Sequence, residues 1–176
     1  MIGLKRGTVK LIPYSPKWKD SFEKEKRRLQ KSLGDFVISI EHIGSTAVPG
    51  VSAKPIIDIA VVVKSIKSPD KLIKLLETLG YEYKQDNDVL GRLFFTKGPE
   101  KKRTHYIHVV ELKGKEWKNL ILFRDYLLSH KKAVHQYTEL KNKLAKSYAL
   151  DRKSYTSGKD EFIKTIIMEA QNEKRN

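Results

Sequence analysis

The chain of 176 residues contains no cysteine. Disulfides and thiolate metal sites are therefore excluded, and the composition fits a reducing compartment. No stretch approaches the roughly 18 consecutive apolar residues that a membrane-spanning helix requires. The start of the sequence, MIGLKRGTVKLIPYSPKW, also lacks the apolar centre of a signal peptide. These absences predict a cytoplasmic protein with no membrane partner.

Acidic residues are in the minority, with 21 Asp and Glu against 36 Lys and Arg and a net charge of +15. The excess lies in the flanking segments, because residues 1–35 carry ten basic and four acidic side chains and residues 101–176 carry eighteen and nine. Residues 36–100 carry eight of each. Such a field favours polyanions, including nucleotides and RNA. A lysine-rich solvated coat explains the same numbers without any ligand.

The pattern of apolar residues predicts an α+β fold, with a mixed β-sheet of about five strands flanked by helices and a helical C-terminal part. We expect one domain over residues 1–176, with the sheet in 1–114 and helices alone in 115–176. The predicted strands are residues 9–12, 37–43, 55–63, 81–84, 92–96 and 103–112, the last two joined as a hairpin. The predicted helices are residues 16–33, 69–79, 117–128, 133–148 and 162–170.

Residues 41–63 read EHIGSTAVPGVSAKPIIDIAVVV, with Gly44-Ser45 after one apolar run and Asp58 inside the next. A lone buried carboxylate is costly unless it is paired, hydrogen-bonded or bound to a metal. A tight Gly-Ser turn offers N–H groups and a hydroxyl to an anion. A phosphate at this turn, with Mg²⁺ bridging it to Asp58, is one solution. A carboxylate that caps backbone N–H groups or pairs with Lys54 is the alternative.

A strand that ends in Gly-Ser, followed by Asp-x-Asp or Asp-x-Glu on a neighbouring strand, resembles the polymerase-beta-like nucleotidyltransferase superfamily. The longer string at residues 41–59 resembles the GrpB family more closely. This resemblance extends to HYIHVV at 105–110, to FRDYL at 123–127 and to a helical tail. The matching residues of that tail are Lys141, Tyr155 and Lys159.

The resemblance implies a nucleotidyltransferase-like fold that binds a nucleotide and Mg²⁺ or Mn²⁺. It places Gly44 and Ser45 on a triphosphate-facing turn and Asp58 at the first metal-ligand position. The second ligand position is Ala60, which cannot bind a metal. Two-metal phosphoryl transfer depends on ligands that hold both ions, so this departure lowers the expectation of ordinary transferase chemistry.

The remaining candidates are histidines and basic side chains. His105 and His108 are candidate catalytic groups, because histidine titrates near neutrality, and His108 is a candidate metal ligand together with Asp58. In a regular strand these two histidines point to opposite faces, so they converge only if a bulge intervenes. Histidines with satisfied partners in the sheet are the alternative. The basic side chains that we expect to bind the nucleotide are Lys54, Arg124 and Lys141.

These observations lead to one leading hypothesis and two alternatives. The first is a nucleotidyltransferase-like protein that binds a nucleotide and Mg²⁺ and transfers a nucleotidyl group to a small-molecule or RNA acceptor. The second is a degenerate, non-catalytic nucleotide- or RNA-binding module, because a fold does not fix a function. The third is metal-dependent hydrolysis by Asp58, His105 and His108. We expect a monomer or a weak dimer.

Overall fold

A computed structural model describes residues 2–87 and 89–175. Its centre is a mixed five-stranded sheet of order β1-β2-β5-β4-β3, in which β2 and β5 are parallel and the other neighbours antiparallel. The predicted α+β class is therefore confirmed. The strands are β1 (Ser39–Ile43), β2 (Ile57–Val63), β3 (Tyr81–Tyr83), β4 (Arg92–Lys97) and β5 (His105–Glu111).

Six α-helices surround the sheet in the described part of the chain. The first helix precedes all five strands, the second lies between β2 and β3, and the other four follow β5. The helices are α1 (Lys17–Leu33), α2 (Asp70–Thr78), α3 (Lys115–Ser129), α4 (Lys131–Ser147), α5 (Arg152–Ser157) and α6 (Asp160–Glu173). None of the described helices is long and apolar enough to cross a membrane.

One face of the sheet is sealed by α1 and α2. Because alternate strand residues share a face, Ile57, Ile59 and Val61 of β2 point into this layer with Ile107 and Val109 of β5. The helices cover them with large apolar side chains. These include Trp18, Phe22, Leu29, Leu33, Leu72 and Leu76, all at most 5% exposed. We call this side of the sheet the first face.

The second face of the sheet is covered only in part. Its apolar end packs Ile43, Ala60, Val62 and Val110 against residues of α3. Toward the start of β2 the face becomes polar and carries Asp58, whose neighbours on β5 are Tyr106 and, diagonally, His108. Helices α4, α5 and α6 stand away from this end, so a cleft opens between it and the helical part.

Two local predictions are corrected. Residues 9–12 do not form a strand, because their backbone partners lie in two separate segments: Ile12 exchanges hydrogen bonds with Ala53, while the N–H of Val9 donates to Ala149 O. Helix α5 was not predicted, because its sequence RKSYTS holds only one large apolar side chain and so shows no helical period. Its start is fixed by Asp151, whose carboxylate accepts the N–H of Ser154 at 3.0 Å.

Candidate functional site

The Gly-Ser turn and the carboxylate of Asp58 lie in direct contact. Strand β1 ends at Ile43, which pairs with Asp58 across the antiparallel ladder. Gly44 has φ +66°, and a Cβ at this position would lie 2.8 Å from Asp58 Oδ2. Only glycine meets both the dihedral angle and the space. Ser45 then begins a short 3-10 turn that ends at Ala47.

The Gly-Ser turn is held in place by a contact between His42, which precedes it, and Thr46, which follows it. His42 Nε2 lies 2.9 Å from Thr46 Oγ1, and its ring stacks on Phe22 with centroids 4.7 Å apart. Burial, with a smaller contribution from Arg124, lowers the pKa of His42 to about 4, so the ring is neutral at physiological pH. A neutral, stacked and bonded ring holds the turn in a fixed position beside Asp58.

Arg124 supports this end of β1 and does not line the cleft. Its Nη1 donates to His42 O and to Glu41 Oε2, both at 3.1 Å, and its Nε donates to Asp125 Oδ1 at 2.8 Å. A guanidinium held by two carboxylates and a carbonyl has little capacity left for a phosphate. The prediction that Arg124 binds the nucleotide is therefore corrected: it positions the strand that carries the Gly-Ser turn.

The cleft between the second face and the helical part has a volume of about 600 Å³. Asp58 stands at its sheet wall with a side chain that is 30% exposed. His108 Nε2 lies 3.6 Å from Asp58 Oδ1, which is an electrostatic contact longer than a hydrogen bond. Burial favours the protonated acid, but His108, Lys54 and Lys159 together lower the pKa of Asp58, so it is a carboxylate at neutral pH.

Four basic side chains line the cleft together with Asp58, and we call Lys54, Lys141, Arg152 and Lys159 the cation cluster. The Nζ atoms of Lys54 and Lys159 lie 5.2 Å and 4.7 Å from the ring centroid of Tyr155. Arg152 Cζ lies 5.2 Å from the ring centroid of Tyr106. Such cation–π contacts partly replace lost hydration, but they do not neutralise the charges.

Lys141 is the most deeply buried member of the cluster, at 2% exposure. Its Nζ donates to Ser52 O at 2.6 Å and lies 5.0 Å from the ring centroid of Tyr137. Within residues 2–87 and 89–175, no member of the cation cluster has a carboxylate within 4.0 Å. The other two basic residues of the lining are paired, Arg92 with Glu116 and Lys164 with Glu161.

The proximity of like charges changes how the cluster titrates. Burial, reinforced by Arg152 and Lys159, lowers the pKa of Lys54 to about 7. Burial also lowers the pKa of Lys159, and it lowers that of Lys141 well below its ordinary value, with Lys159 and Lys54 adding to the effect. An anion placed among these groups favours their charged forms. The cluster is therefore suited to an anionic ligand.

His105 does not belong to this site. Its side chain lies on the first face at 7% exposure, where Nδ1 is 2.9 Å from Thr104 Oγ1. Burial lowers its pKa to about 4, and the charges that act on it are those of Glu25, Lys97 and Arg28. The register of β5 with β2 runs unbroken from His105 to Glu111, so no bulge turns it toward His108. The predictions that use His105 as a catalytic partner of Asp58 are corrected accordingly.

The donor set of the cleft does not fit a two-ion metal centre. Position 60 is alanine and 0% exposed. Glu41, its cross-strand neighbour, is bound by Arg124. In the part of the chain that the structure describes, no three His, Asp or Glu side chains are grouped so that they could hold a metal ion. Besides Asp58, the carboxylates of the lining are Glu116, which pairs with Arg92, and Asp160, which follows Lys159 in the chain. The Mg²⁺ or Mn²⁺ of the sequence analysis stays a prediction.

Of the predicted site residues, Gly44, Ser45, Lys54, Asp58, His108 and Lys141 do line the cleft. Sequence reasoning did not single out Arg152, and Lys159 was named only through the family resemblance. A usable signal existed in their spacing, because residues 152, 155 and 159 are three and four apart, as on one side of a helix. The break between α5 and α6 interrupts that pattern.

Comparison with known proteins gives a consistent result. A family model described as GrpB protein matches residues 8–169. Glutamate-rich protein GrpB of Alkalihalophilus pseudofirmus is 39% identical over 173 residues, which cover 96% of this chain and 99% of that protein. The UPF0157 protein YqkA of Bacillus subtilis is 40% identical over 157 residues, 89% of this chain. The chain spans 46% of the length of YqkA.

Solved structures extend the comparison to the fold. The crystal structure of conserved protein GrpB from Enterococcus faecalis is similar at a TM-score of 0.86 and 36% identity, over 95% of this chain and all of that one. A Cid1 poly(U) polymerase structure, described as bound to MgATP, is similar at a TM-score of 0.53 and 14% identity. That match covers 77% of this chain and 44% of the polymerase chain. At this identity, the likeness concerns the nucleotidyltransferase fold alone.

Proposed function

This chain belongs to the GrpB family, and from that premise we propose that it binds a nucleotide in the cleft, with the phosphates in the cation cluster. The observation that carries the proposal is the charge of the lining: four basic side chains without an ion pair among the described residues line the cleft with Asp58 and the Gly44-Ser45 turn. A phosphate chain supplies several negative charges and many acceptor oxygens. It complements this arrangement in charge and in hydrogen bonding.

The rest of the cleft suits the base and the sugar. Beside polar residues, its lining away from the cation cluster includes several apolar and aromatic side chains. A volume of about 600 Å³ falls in the range of small-molecule sites. Aromatic side chains also offer stacking surfaces to any of the bases. These apolar and aromatic residues include Phe94, Leu120, Phe123, Ile163 and Ile167.

Binding without transfer is the form of the proposal that the cleft favours. Nucleotidyl transfer by two metal ions requires carboxylates that bridge both ions, and this sheet offers Asp58 with Ala60 in the adjacent position on the same face. The Cid1 structures support a nucleotide as ligand through their shared fold. The shared fold does not change the fact that position 60 of this chain is alanine, which cannot bind a metal ion.

Calorimetric titration with ATP, GTP, CTP and UTP tests the proposal. We expect at least one nucleotide to bind with a stoichiometry of one, and Lys54→Met or Lys159→Met to weaken it about tenfold, which corresponds to one charged hydrogen bond. Lys74→Met is the matched control, because this exposed lysine lies on α2 beyond the first face. Equal loss in the control, or no binding of any nucleotide, contradicts the proposal.

A second assay separates binding from transfer. We expect α-labelled nucleotides to be recovered unchanged after incubation with the protein, a metabolite pool and RNA. Labelled product that disappears with Asp58→Asn would favour the transferase hypothesis instead.

A further inference from the structure

We propose that the cation cluster holds the phosphates of the ligand directly, with no divalent cation between ligand and protein. The inference rests on the proposed nucleotide-binding function and specifies how that site recognises its ligand. It arises from the mismatch between the cleft, which is rich in cations, and a metal-bridged phosphate site, which is rich in carboxylates.

The balance of charge around Asp58 favours a phosphate over a divalent cation. A bridging Mg²⁺ neutralises phosphate and joins it to acidic protein groups. Here Lys54 and Lys159 are close enough to Asp58 to lower its pKa, and Arg152 acts on Lys54 in turn. These groups repel an added divalent cation and attract a phosphate. The protein itself therefore supplies the positive charge that a metal would otherwise bring.

An apolar residue occupies the place of a second carboxylate. Ala60 is completely buried and packs with Ile43, Val62 and Val110. Because these neighbours are all apolar, β2 offers no second side chain that could bind a metal ion beside Asp58. Glu41 lies opposite Ala60 on β1, but its carboxylate is engaged by Arg124.

Two buried hydrogen-bonding groups of the cleft, considered apart from charge, also lack a partner in the described part of the chain. Tyr155 is 0% exposed and lines the cleft, yet its hydroxyl has no hydrogen-bond partner among the described residues. The same is true of His108 Nδ1. Buried polar groups are normally satisfied. The hydroxyl of Tyr155 lies on a ring that contacts both Lys54 and Lys159, and an O–H donor at this place suits a phosphate oxygen.

Titration of the full chain with ATP and with inorganic tripolyphosphate, first in excess EDTA and then in excess MgCl₂, tests the inference. We expect ATP to bind in EDTA at least as tightly as in MgCl₂, because Mg²⁺ cancels part of the ligand charge that the lysines recognise. Tripolyphosphate should bind under the same conditions and compete with ATP. Binding of ATP only in MgCl₂ overturns the inference and leaves the proposed function standing. No binding of any nucleotide in either buffer removes the proposed function itself.

The variant Asp58→Asn separates the two modes by the sign of its effect. In direct recognition the carboxylate repels the phosphates, so its removal should tighten ATP binding in EDTA by roughly three- to tenfold. In metal-bridged recognition the same change removes a ligand and weakens binding. Asp70→Asn on α2 is the matched control and should leave the affinity unchanged. A weaker or unaltered affinity of Asp58→Asn, in a variant that melts like the wild type, overturns the inference.

Discussion

The two faces of the sheet treat their buried charges in opposite ways. On the first face, Glu25 accepts hydrogen bonds from Tyr81 at 3.0 Å and from Lys97 at 2.6 Å, and it also pairs with Arg28 at 3.1 Å. On the second face, no member of the cation cluster has a carboxylate within ion-pair distance among the described residues. The buried charge on the first face is therefore paired with side chains of the protein itself. The second leaves its positive charge open to a cleft, as expected of a site whose partner is a ligand.

The largest loss of ATP affinity is expected when two members of the cation cluster are replaced together. In Lys54→Met/Lys159→Met we expect the affinity for ATP to fall by about 100-fold or more, since each charged hydrogen bond contributes roughly 1.5–3 kcal/mol. Calorimetry measures this loss, and the thermal midpoint confirms that the variant is folded. Wild-type affinity in the double variant would mean that the ligand binds elsewhere.

The matching experiment on the first face is Glu25→Gln. It leaves Lys97, whose side chain is 16% exposed, without its closest anion. Breaking a buried pair by removing one partner costs about 3–5 kcal/mol, so we expect the free energy of unfolding in urea to fall by about 3 kcal/mol. The affinity for ATP should not change. A variant with normal stability and weak ATP binding would reverse the roles that we assign to the two faces.

A smaller effect is expected from Lys141→Met, because methionine keeps the shape of the side chain but not its ammonium. The buried amine disfavours its charged form, so the ligand-free variant should be more stable at pH 7, by about 1 kcal/mol, with an increase in Tm of about 2–4 °C. Its affinity for ATP should be lower than that of the wild type. A less stable free protein would indicate that the bond to Ser52 O outweighs the cost of burying the amine.

The last prediction is a dependence of stability on pH. The pKa of Lys54 is about 7 in the folded protein, against 10.5 for an exposed lysine. Between these values the unfolded chain holds a proton that the folded chain has released. Stability should therefore rise with pH across this window, by at most about 1.4 kcal/mol per pH unit for each such lysine. Urea unfolding at a series of pH values should show a shallower rise for Lys54→Met than for Lys74→Met.

The residue positions that depend on strand geometry could be predicted from the sequence. Alternation in β2 places Asp58 and Ala60 on the same face, and alternation in β5 places His105 and His108 on opposite faces. The contact between Gly44 and Asp58 follows from two strand ends that meet at one edge. Local pattern fixes these relations because strand neighbours are set by a period of two residues.

The parts that depend on long-range contacts were not accessible. Arg124 was interpreted as a phosphate ligand, and nothing near it in sequence shows that Glu41, 83 residues away, binds its guanidinium. Arg152 and Lys159 enter the cleft from a short helix and the residue before the next one, where no hydrophobic period exists to orient them. Their function depends on how the helical part packs against the sheet.

The crystal structure of the protein with ATP, grown in the presence of EDTA, tests the central claim most directly. We predict phosphate groups within hydrogen-bonding distance of Lys54 and Lys159, next to the Gly44-Ser45 turn, with no metal ion between them and Asp58. Phosphates that lie outside the cleft, on the exposed lysines of the surface, would contradict the account.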